Sequence, residues 1–293
     1  MKSSDLANPD VVHYLVRRFH LHMNKKLGQN FLIDPPVVRH IAETASLHAG
    51  MPVLEIGPGI GTLTQALAET GAAVTAVEID SNLLPVLDKT LEAYDNVRII
   101  HDDIMKVDIE ALMNHKPFVV CANLPYYITT PIILRLLEER LPMERMVVMV
   151  QKEVAERMVS GPGSKAYGAL SVAVQYYTSP HLAFVINPAS FLPPPAVQSA
   201  VVAMDVRPTP PVQVLEEHRF FQTVKAAFGQ RRKTLTNALK GTGLPTNDVE
   251  AILSAAGIDG KRRGETLSLD EFAAIADSWT KRLATTGQIN GER

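Results

Sequence analysis

Short apolar runs alternate with stretches of helical periodicity between residues 36 and 160, and this alternation limits the possible folds more than any other feature of the chain. Each apolar run has the length of one buried strand, and each intervening stretch can form a crossover helix. Successive βαβ units of this kind build a mostly parallel sheet. The pattern predicts strands at Pro52–Ile56, Ala73–Ile79, Val97–His101, Phe118–Ala122 and Met146–Val150, and helices near Pro36–Leu47, Thr62–Glu69, Asn82–Ala93 and Pro131–Glu138.

The alternation of predicted strands and helices changes after Gln151. A helical stretch at Gly168–Tyr176 precedes two further apolar segments, His181–Ile186 and Val197–Val206, which a proline-rich bend joins. Two successive strands with a short bend are typical of an antiparallel pair added to a sheet edge. The predicted fold class is therefore α/β, with a mostly parallel seven-stranded sheet that includes an antiparallel edge strand.

A proline-rich segment, Arg207-Pro208-Thr209-Pro210-Pro211, breaks regular structure and predicts a linker. Beyond it, apolar residues recur at helical spacing, as at Phe220, Val224 and Phe228. We therefore predict two domains: an α/β domain over residues 1–206, which includes an N-terminal arm, and a small all-helical domain over residues 207–293.

Composition excludes several classes of protein. A single cysteine rules out a disulfide framework, and no Cys/His pair has the spacing of a zinc site, so no metal site is predicted. No run approaches the roughly 18 consecutive apolar residues of a membrane helix. We expect a cytoplasmic protein that does not associate with membranes.

The distribution of charge is more informative than the net charge of −2. Residues 1–30 carry five basic and two acidic residues, and residues 205–263 carry ten basic and six acidic residues. Residues 31–204 carry eleven basic and eighteen acidic residues. Basic ends around an acidic middle favour a polyanionic partner and a cationic cofactor, although solvated faces of uneven charge would give a similar distribution.

A glycine-rich turn follows the first predicted strand. Gly57, Gly59 and Gly61 open a helix, which is how a nucleotide-like cofactor is commonly held, but the motif alone does not identify the cofactor. Glu78 ends the next strand, where a carboxylate can bind ribose hydroxyls, and Asp102-Asp103 ends the third, where a side chain can reach an adenine amine. An acidic pocket favours S-adenosylmethionine over NAD, since it attracts a sulfonium and repels a pyrophosphate.

The segment Asn123-Leu124-Pro125-Tyr126 stands where the strand that begins at Phe118 should end. An amide, a backbone stiffened by proline and an aromatic ring suit the binding of an exocyclic amine on a flat heterocycle. Together with the glycine-rich turn, the segment indicates methyl transfer to a nitrogen of a nucleobase.

Five motifs, taken in order, resemble the KsgA/RsmA family, the adenosine dimethyltransferases of small-subunit ribosomal RNA. The motifs are Lys26-Leu27-Gly28-Gln29-Asn30-Phe31-Leu32, Glu55-Ile56-Gly57-Pro58-Gly59-Ile60-Gly61, Asn123-Leu124-Pro125-Tyr126, Phe191-Leu192-Pro193-Pro194-Pro195 and Phe228-Gly229-Gln230-Arg231-Arg232-Lys233-Thr234-Leu235. The resemblance extends from about Lys25 to Leu269. It implies a class I methyltransferase fold, a Rossmann-like sheet with a helical C-terminal domain that binds rRNA.

The resemblance also assigns cofactor-binding residues. It implies that Asn30 and Leu32 close over S-adenosylmethionine, that Gly57 lies against its methionine part and that Glu78 holds the ribose. It places Asp103 at the adenine and Asn123 at the junction of the cofactor and the target. No role follows for the arm before Lys25.

Catalysis is expected from the amide and the aromatic residues. The Asn123 side-chain oxygen and the Leu124 carbonyl can orient the amine of adenine toward the methyl group, so no ionised base is needed before attack. Tyr126 is expected to stack on one face of the base and Phe191 on the other. Ordinary core packing is the alternative for both rings, and it is the stronger alternative for Phe191.

RNA binding is predicted for Arg231, Arg232 and Lys233, on a helix that begins the second domain. A second cluster, Lys261-Arg262-Arg263, could add phosphate contacts. A solvated helix face is the alternative for both clusters.

The resemblance implies that the protein dimethylates two adjacent adenosines in a hairpin loop near the 3′ end of small-subunit rRNA, within an immature 30S particle, and that it acts as a monomer. Other interpretations remain open at this point. They are a methyltransferase of large-subunit rRNA that confers macrolide-type resistance, a ribosome-assembly factor, an NAD oxidoreductase and, with less support, a DNA adenine methyltransferase.

Overall fold

A computed structural model describes residues 5–21, 28–230 and 232–286. Within these ranges the main sheet has seven strands, and two shorter strands pair with each other. The strands of the main sheet are Pro52–Ile56 (β2), Ala73–Glu78 (β3), Val97–His101 (β4), Phe118–Asn123 (β5), Met143–Gln151 (β6), Thr178–Ile186 (β7) and Ser199–Val206 (β9), and the short strands are Phe31–Leu32 (β1) and Phe191–Leu192 (β8).

The strand order of the main sheet is β4-β3-β2-β5-β6-β9-β7. Strands β2 to β6 are parallel to one another, whereas β9 runs antiparallel to β6. The predicted α/β class with a mostly parallel seven-stranded sheet is confirmed, and the antiparallel strand β9 lies between β6 and the outermost strand, β7. The order reverses between β2 and β5, so a crevice is expected beyond the carboxyl ends of these two strands.

Burial explains why the central strands read as apolar runs in the sequence. Every residue of β5 from Phe118 to Ala122 is buried, because helices cover both faces of a parallel sheet. Strand β4 lies at the sheet edge and is only partly covered. The sequence nevertheless predicted this strand correctly, since the predicted range Val97–His101 coincides with the observed one.

Side-chain caps mark the start of some helices. The Asn8 side chain accepts a hydrogen bond from the Asp10 amide at 2.9 Å, and Asp34 caps the next helix through the Val37 amide at 3.4 Å. The helices are Pro9–Arg18 (α1), Pro35–Thr44 (α2), Thr62–Glu69 (α3), Leu84–Thr90 (α4), Ile109–Leu112 (α5), Thr129–Glu138 (α6), Lys152–Val159 (α7), Ala169–Tyr177 (α8), Glu217–Gly229 (α9), Leu235–Lys240 (α10), Thr246–Ala255 (α11) and Leu269–Thr286 (α12). The predicted helix Thr62–Glu69 matches α3 at both ends.

Strands β1 and β8 hold two distant segments together. Phe31 is paired with Leu192, and Leu32 with Phe191. Beside them, the Ser190 hydroxyl donates to Asp34 at 2.7 Å, across a separation of 156 residues. This small sheet fixes the segment before Leu32 next to the glycine-rich turn.

The chain forms two compact units. The first contains the described residues of 1–155 and 179–206, and the second contains those of 156–178 and 207–293. The sequence assigns residues 156–178 to the first domain, whereas in the structure they belong to the second unit. There the Tyr177 hydroxyl of α8 donates to Glu217 of α9 at 2.8 Å, and the Tyr176 ring lies 4.8 Å from that of Phe220.

Among the described helices, none combines enough length with enough apolar residues to span a lipid bilayer.

Candidate active site

A cavity of about 250 Å³ lies in the first unit at the carboxyl ends of β2, β3, β4 and β5. Because these strands are parallel, the residues that follow them meet at one edge of the sheet. The cavity brings together most of the site residues predicted from the sequence. Those that line it are Asn30, Leu32, Gly57, Glu78, Asp103, Asn123 and Tyr126.

The glycine-rich turn forms one wall of the cavity. Gly57 has a φ of +68°, and a side chain there would be strained, while the space beside it is open. Gly59 has a φ of +63°, and a Cβ atom there would lie 3.3 Å from the Phe31 ring. The turn therefore leaves room for a ligand at Gly57 and allows the segment that contains β1 to approach at Gly59.

Glu78 is buried at the end of β3 and organises the same turn. Its carboxylate accepts hydrogen bonds from the Asp80 amide at 2.8 Å and the Gly59 amide at 3.3 Å. Burial raises the pKa of Glu78, and the hydrogen bonds from Asp80 and Gly59 oppose this increase. The position fits a ribose-binding carboxylate, and the link to Gly59 joins it to the wall formed by the turn.

Glu55 is a cavity residue that the sequence analysis did not assign. It is 1% exposed on β2, and burial raises its pKa to about 8; the Thr64 side chain opposes this increase, and the charge of Glu78 adds to it. Its Oε2 atom has no hydrogen-bond partner in the part of the chain that the structure describes. A single acidic residue within an apolar strand was the available signal, because unpaired carboxylates are rarely buried without a function.

Asp103 lies in the turn after β4. Its Oδ1 atom accepts from the Met105 amide at 2.9 Å, and its Oδ2 atom lies 3.6 Å from Lys106 Nζ. The Asp102 side chain in turn accepts from the Asp103 amide at 2.7 Å. These contacts orient the turn, in which Asp103 lines the cavity.

Asn123 is the last residue of β5, and its side chain reaches the segment around β1. Its Nδ2 atom donates to the Asn30 carbonyl at 3.4 Å, and Asn30 itself donates to the Gly28 carbonyl at 2.9 Å. The amide nitrogen of Leu124 donates to the Met149 carbonyl of β6 at 3.1 Å. Since Nδ2 is engaged with Asn30, the Asn123 oxygen remains an acceptor for a ligand.

Tyr126 has its hydroxyl 2.5 Å from the Ser199 hydroxyl on β9. Burial raises the pKa of Tyr126, which therefore stays neutral at physiological pH. The hydrogen bond fixes one end of the ring, while the ring lines the cavity. Such a ring can stack on a base without first being ordered.

Two exposed apolar residues at the cavity were not predicted. Tyr127, for which the sequence left core packing open, is 55% exposed and lines the cavity. Ile79, which follows Glu78, is also exposed and lines it. An exposed tyrosine beside a motif cannot be distinguished from a buried one by sequence alone.

Phe191 lies elsewhere than predicted. Its side chain is 2% exposed, does not line the cavity, and packs in the hydrophobic core with Leu32 and Val201. The stacking role would require this side chain to leave the core, so core packing describes its position in this structure. The following prolines suggested an aromatic residue beside the site, but the pairing of β8 with β1 turns the ring inward.

Two residues of the predicted RNA-binding cluster, Arg232 and Lys233, lie in a turn rather than on the predicted helix. Arg232 and Lys233 are exposed between α9 and α10, and the Lys233 amide donates to the Gln230 carbonyl at 2.9 Å. Arg231 falls outside the described residues. In the second predicted cluster, Arg262 is paired with Glu271, which raises the pKa of Arg262.

The chemistry of the cavity fits a cationic cofactor that contains adenosine. Four acidic residues line it, Glu55, Glu78, Asp102 and Asp103, and the Glu55 Oε2 atom is buried without a hydrogen-bond partner among the described residues. No Lys or Arg is among the described residues that line it, which disfavours a pyrophosphate. No group of three or more His, Cys, Asp or Glu side chains within the described ranges is placed to hold a metal ion.

Solved structures identify the class of the fold. A 23S rRNA methyltransferase, ErmE, is similar to 85% of this chain and 99% of its own, with a TM-score of 0.66 and 26% identity. A dimethyladenosine transferase from Plasmodium falciparum is similar to 86% of this chain and 98% of its own, with a TM-score of 0.73 and 25% identity. The fold is that of a class I methyltransferase, a class that generally uses S-adenosylmethionine.

Sequence comparisons then identify the family. The model of the family described as ribosomal RNA adenine dimethylase matches residues 20–281. A ribosomal RNA small subunit methyltransferase A from Alkaliphilus oremlandii is 46% identical over 95% of this chain and 99% of its own. A protein of the same name from Geobacillus thermodenitrificans is 48% identical over 94% of this chain and 97% of its own. The chain belongs to the ribosomal RNA adenine dimethylase family and is an enzyme, so the resemblance identified from the five motifs is confirmed.

Proposed function

We propose that this protein uses S-adenosylmethionine to dimethylate the N6 atoms of two adjacent adenosines, in a hairpin loop near the 3′ end of small-subunit rRNA. The observation that carries the proposal is the convergence of acidic, amide and aromatic side chains on one cavity in a chain of this family. The product is N6,N6-dimethyladenosine. The substrate is an immature 30S particle, and the protein acts as a cytoplasmic monomer.

The residues at the strand ends divide the binding of the cofactor between them. Glu78 binds the ribose hydroxyls, and Asp103 accepts from the adenine amine. Asn30 and Leu32 close over the cofactor, and Gly57 leaves room for its methionine part. Glu55 supplies an unpaired oxygen for a positively charged group. Bound S-adenosylmethionine would supply a methyl group on a positively charged sulfur.

Asn123 and the Leu124 carbonyl activate the target by orientation. The amine of adenine is a weak nucleophile because its lone pair is delocalised into the ring. Two acceptors that bind its hydrogens pyramidalise the nitrogen and direct the lone pair at the methyl carbon. The new nitrogen–carbon bond forms as the carbon–sulfur bond breaks, and the proton leaves the nitrogen afterwards. Alignment of this kind supplies most of the acceleration.

Tyr126 holds the base in this orientation. Stacking of an aromatic side chain on a base contributes about 1–3 kcal/mol, and the contact with Ser199 holds the ring ready for it. A loop adenosine suits such a slot, since it needs little energy to leave its stack. Of the two predicted stacking residues, Tyr126 is supported by its position, whereas Phe191 is buried.

Arg232 and Lys233 contribute phosphate contacts in this proposal, together with Arg231. The exposure of Arg232 and Lys233 in the turn after α9 supports the role, because long exposed cations reach phosphates without a preformed pocket. Such contacts give affinity and register rather than sequence specificity.

The small subunit is favoured over the large one as the source of the substrate. The relatives named for the small subunit are 46% and 48% identical to this chain, whereas the 23S rRNA methyltransferase is 26% identical. The second candidate, methylation of large-subunit rRNA, follows from that shared fold. A role in 30S maturation accompanies catalysis in our proposal, with methylation as the step that releases the protein.

In the direct test, purified protein and S-adenosylmethionine are incubated with small ribosomal subunits and, separately, with large ones. Small and large subunits are prepared from a strain that lacks its own adenosine dimethylase, and the adenosines of each rRNA are analysed by mass spectrometry. We expect dimethyladenosine at two adjacent positions of the small-subunit rRNA and none in the large-subunit rRNA. Modification of the large subunit alone would replace this proposal with the second candidate.

A further inference from the structure

Helix α1 has an exposed face whose residues suit RNA. Tyr14 is 61% exposed and is the most exposed large apolar side chain among the described residues. Arg17 and Arg18 follow at three and four positions along the helix, so the three side chains share one face. An aromatic ring beside two cations can stack on a base while the cations bind the adjacent phosphates.

The opposite face of α1 is firmly packed, so the exposed face has a fixed position in the first unit. Val12 and Leu15 are buried in one hydrophobic cluster with Leu83 and Leu87. Just before the helix, the Leu6 amide donates to the Gln65 side chain at 2.8 Å in a buried hydrogen bond. Residues 5–21 of the N-terminal arm are therefore part of the folded unit.

The carboxyl end of α1 lies beside the proposed active site. Phe19 and His20 line a second cavity, of about 210 Å³, together with Gln29, Phe31 and Leu83. These last three residues also line the larger cavity that contains Asn123. The basic end of α1 is thus next to the walls of the cavity that receives the target base.

The positive charges of this face belong to Arg17 and Arg18, and the Arg18 guanidinium lies 5.8 Å from the centre of the Phe19 ring. Neither is in an ion pair with a carboxylate among the described residues. Asp5 is 3.7 Å from Arg39, and Asp80 of the second cavity accepts from Gln29 at 2.7 Å. Asp80 keeps its negative charge, since Gln29 is a neutral donor, but it is not paired with Arg17 or Arg18, and these two residues make the last turn of α1 itself basic.

We infer that Tyr14, Arg17 and Arg18 of α1 bind the RNA strand that flanks the target adenosine, as a contact surface separate from the basic turn at Arg232. This inference rests on the proposed function for the identity of the RNA. Phosphates meet the two arginines, and an unpaired base stacks on Tyr14. The surface would add affinity close to the reacting base, where register decides which adenosine enters.

The test measures RNA binding directly, so that it can be interpreted whether or not methyl transfer occurs. Small-subunit rRNA from the dimethylase-deficient strain is titrated against Arg17→Gln/Arg18→Gln, Tyr14→Ala and Tyr14→Phe. Lys116→Gln is the control. Lys116 is exposed and lies just before β5, at the amino end of that strand, whereas the cavity lies at the carboxyl ends of the strands. The affinity of each variant for S-adenosylmethionine is measured by calorimetry.

We expect the double arginine variant to bind RNA about tenfold more weakly and to lose about 1.4–1.8 from the slope of log affinity against log salt. Tyr14→Ala should weaken binding at least about fivefold, and Tyr14→Phe should restore it, since the ring is retained. All variants should bind S-adenosylmethionine as the unaltered protein does.

Equal RNA affinity and equal salt slopes for the double variant and Lys116→Gln would overturn the inference, even if small-subunit rRNA is methylated. Binding of the unaltered protein to anionic phospholipid vesicles, with no change in RNA binding in the variants, would also overturn it and assign α1 to a membrane surface. If small-subunit rRNA is not methylated but the arginine variants bind it more weakly, the inference stands and the proposed function fails.

Discussion

The cavity of the first unit and the basic turn of the second unit differ in burial and in charge. The cavity is lined by acidic, amide and aromatic groups that hydrogen bonds hold in place, as at Glu78 and Tyr126. The turn presents Arg232 and Lys233 on long, exposed side chains. One region is rigid and acidic, and the other is adaptable and basic.

The difference indicates how the two regions contribute. Groups held in a buried site act through geometry, so removing one should change catalysis strongly and salt should have little influence. Exposed cations act through long-range attraction, so each contributes modestly and salt screens the contribution. The following experiments test whether the regions separate in this way.

The largest effect is expected for Asn123→Ala. Loss of the carboxamide removes an acceptor that orients the target amine, and methyl transfer should fall about a hundredfold to a thousandfold. S-Adenosylmethionine affinity should change little, because the strand-end acids remain. Methyl incorporation into under-methylated small subunits and calorimetry give the two quantities. Turnover equal to that of the unaltered protein would remove Asn123 from the mechanism.

Glu55→Gln should weaken S-adenosylmethionine binding about tenfold to a hundredfold, the range for a hydrogen bond to a charged group. Glu55 is largely neutral at pH 7, since its pKa is raised to about 8, and a bound cation favours the ionised form. Binding to the unaltered protein should therefore release a proton and tighten as pH rises from 7 to 9. Calorimetry in buffers of different ionisation enthalpy measures this release, which the glutamine variant should lack.

The same carboxyl group also makes a prediction for the unliganded protein. The folded-state pKa of Glu55 lies above the usual 4.5, so the folded state binds more protons and loses stability as pH rises from about 4.5 to 8. The glutamine variant should lose less stability over that pH range, which urea unfolding measures. A steeper loss in the variant would contradict the assignment of the raised pKa to Glu55.

Tyr126→Ala should reduce methyl transfer about fivefold to a hundredfold, through lost stacking on the base. Tyr126→Phe is the matched control, because it keeps the ring and removes only the hydrogen bond to Ser199. The phenylalanine variant should retain most of the activity when both are assayed on the same subunits. If both variants lost activity equally, the hydroxyl would matter rather than the ring.

The smallest effect is expected for Arg232→Gln/Lys233→Gln. Subunit binding should weaken only severalfold at physiological salt, and the salt slope should fall by about 1.4–1.8 for two lost phosphate contacts. Filter binding over a series of salt concentrations measures both. A loss as large as that of Asn123→Ala, and independent of salt, would break the distinction between the two regions.

The sequence predicted those parts of the site that follow from local patterns. Thr62–Glu69 and Pro52–Ile56 match the observed elements at both ends, because one apolar period and one glycine-rich turn define them. Since parallel strands end at one edge, the positions of Gly57, Glu78 and Asn123 at one cavity followed as well.

The sequence did not predict features that depend on distant pairing. Strands β1 and β8 have two residues each, too few to show a period, and they are defined only by each other. The burial of Phe191 depends on that pairing, so its ring was assigned to the wrong surroundings. Helix α1 has a local signal in the sequence, since Asn8 followed by Pro9 is a typical helix start.

The central claim is that the Asn123 carboxamide presents the N6 atom of a loop adenosine to the donor's methyl group. The most direct test is a crystal structure of the protein with S-adenosylhomocysteine and an RNA hairpin that contains the target. The account predicts Asn123 Oδ1 within hydrogen-bond distance of N6, with the base stacked on Tyr126. A carboxamide turned away from N6, with the base bound outside this cavity, would contradict it.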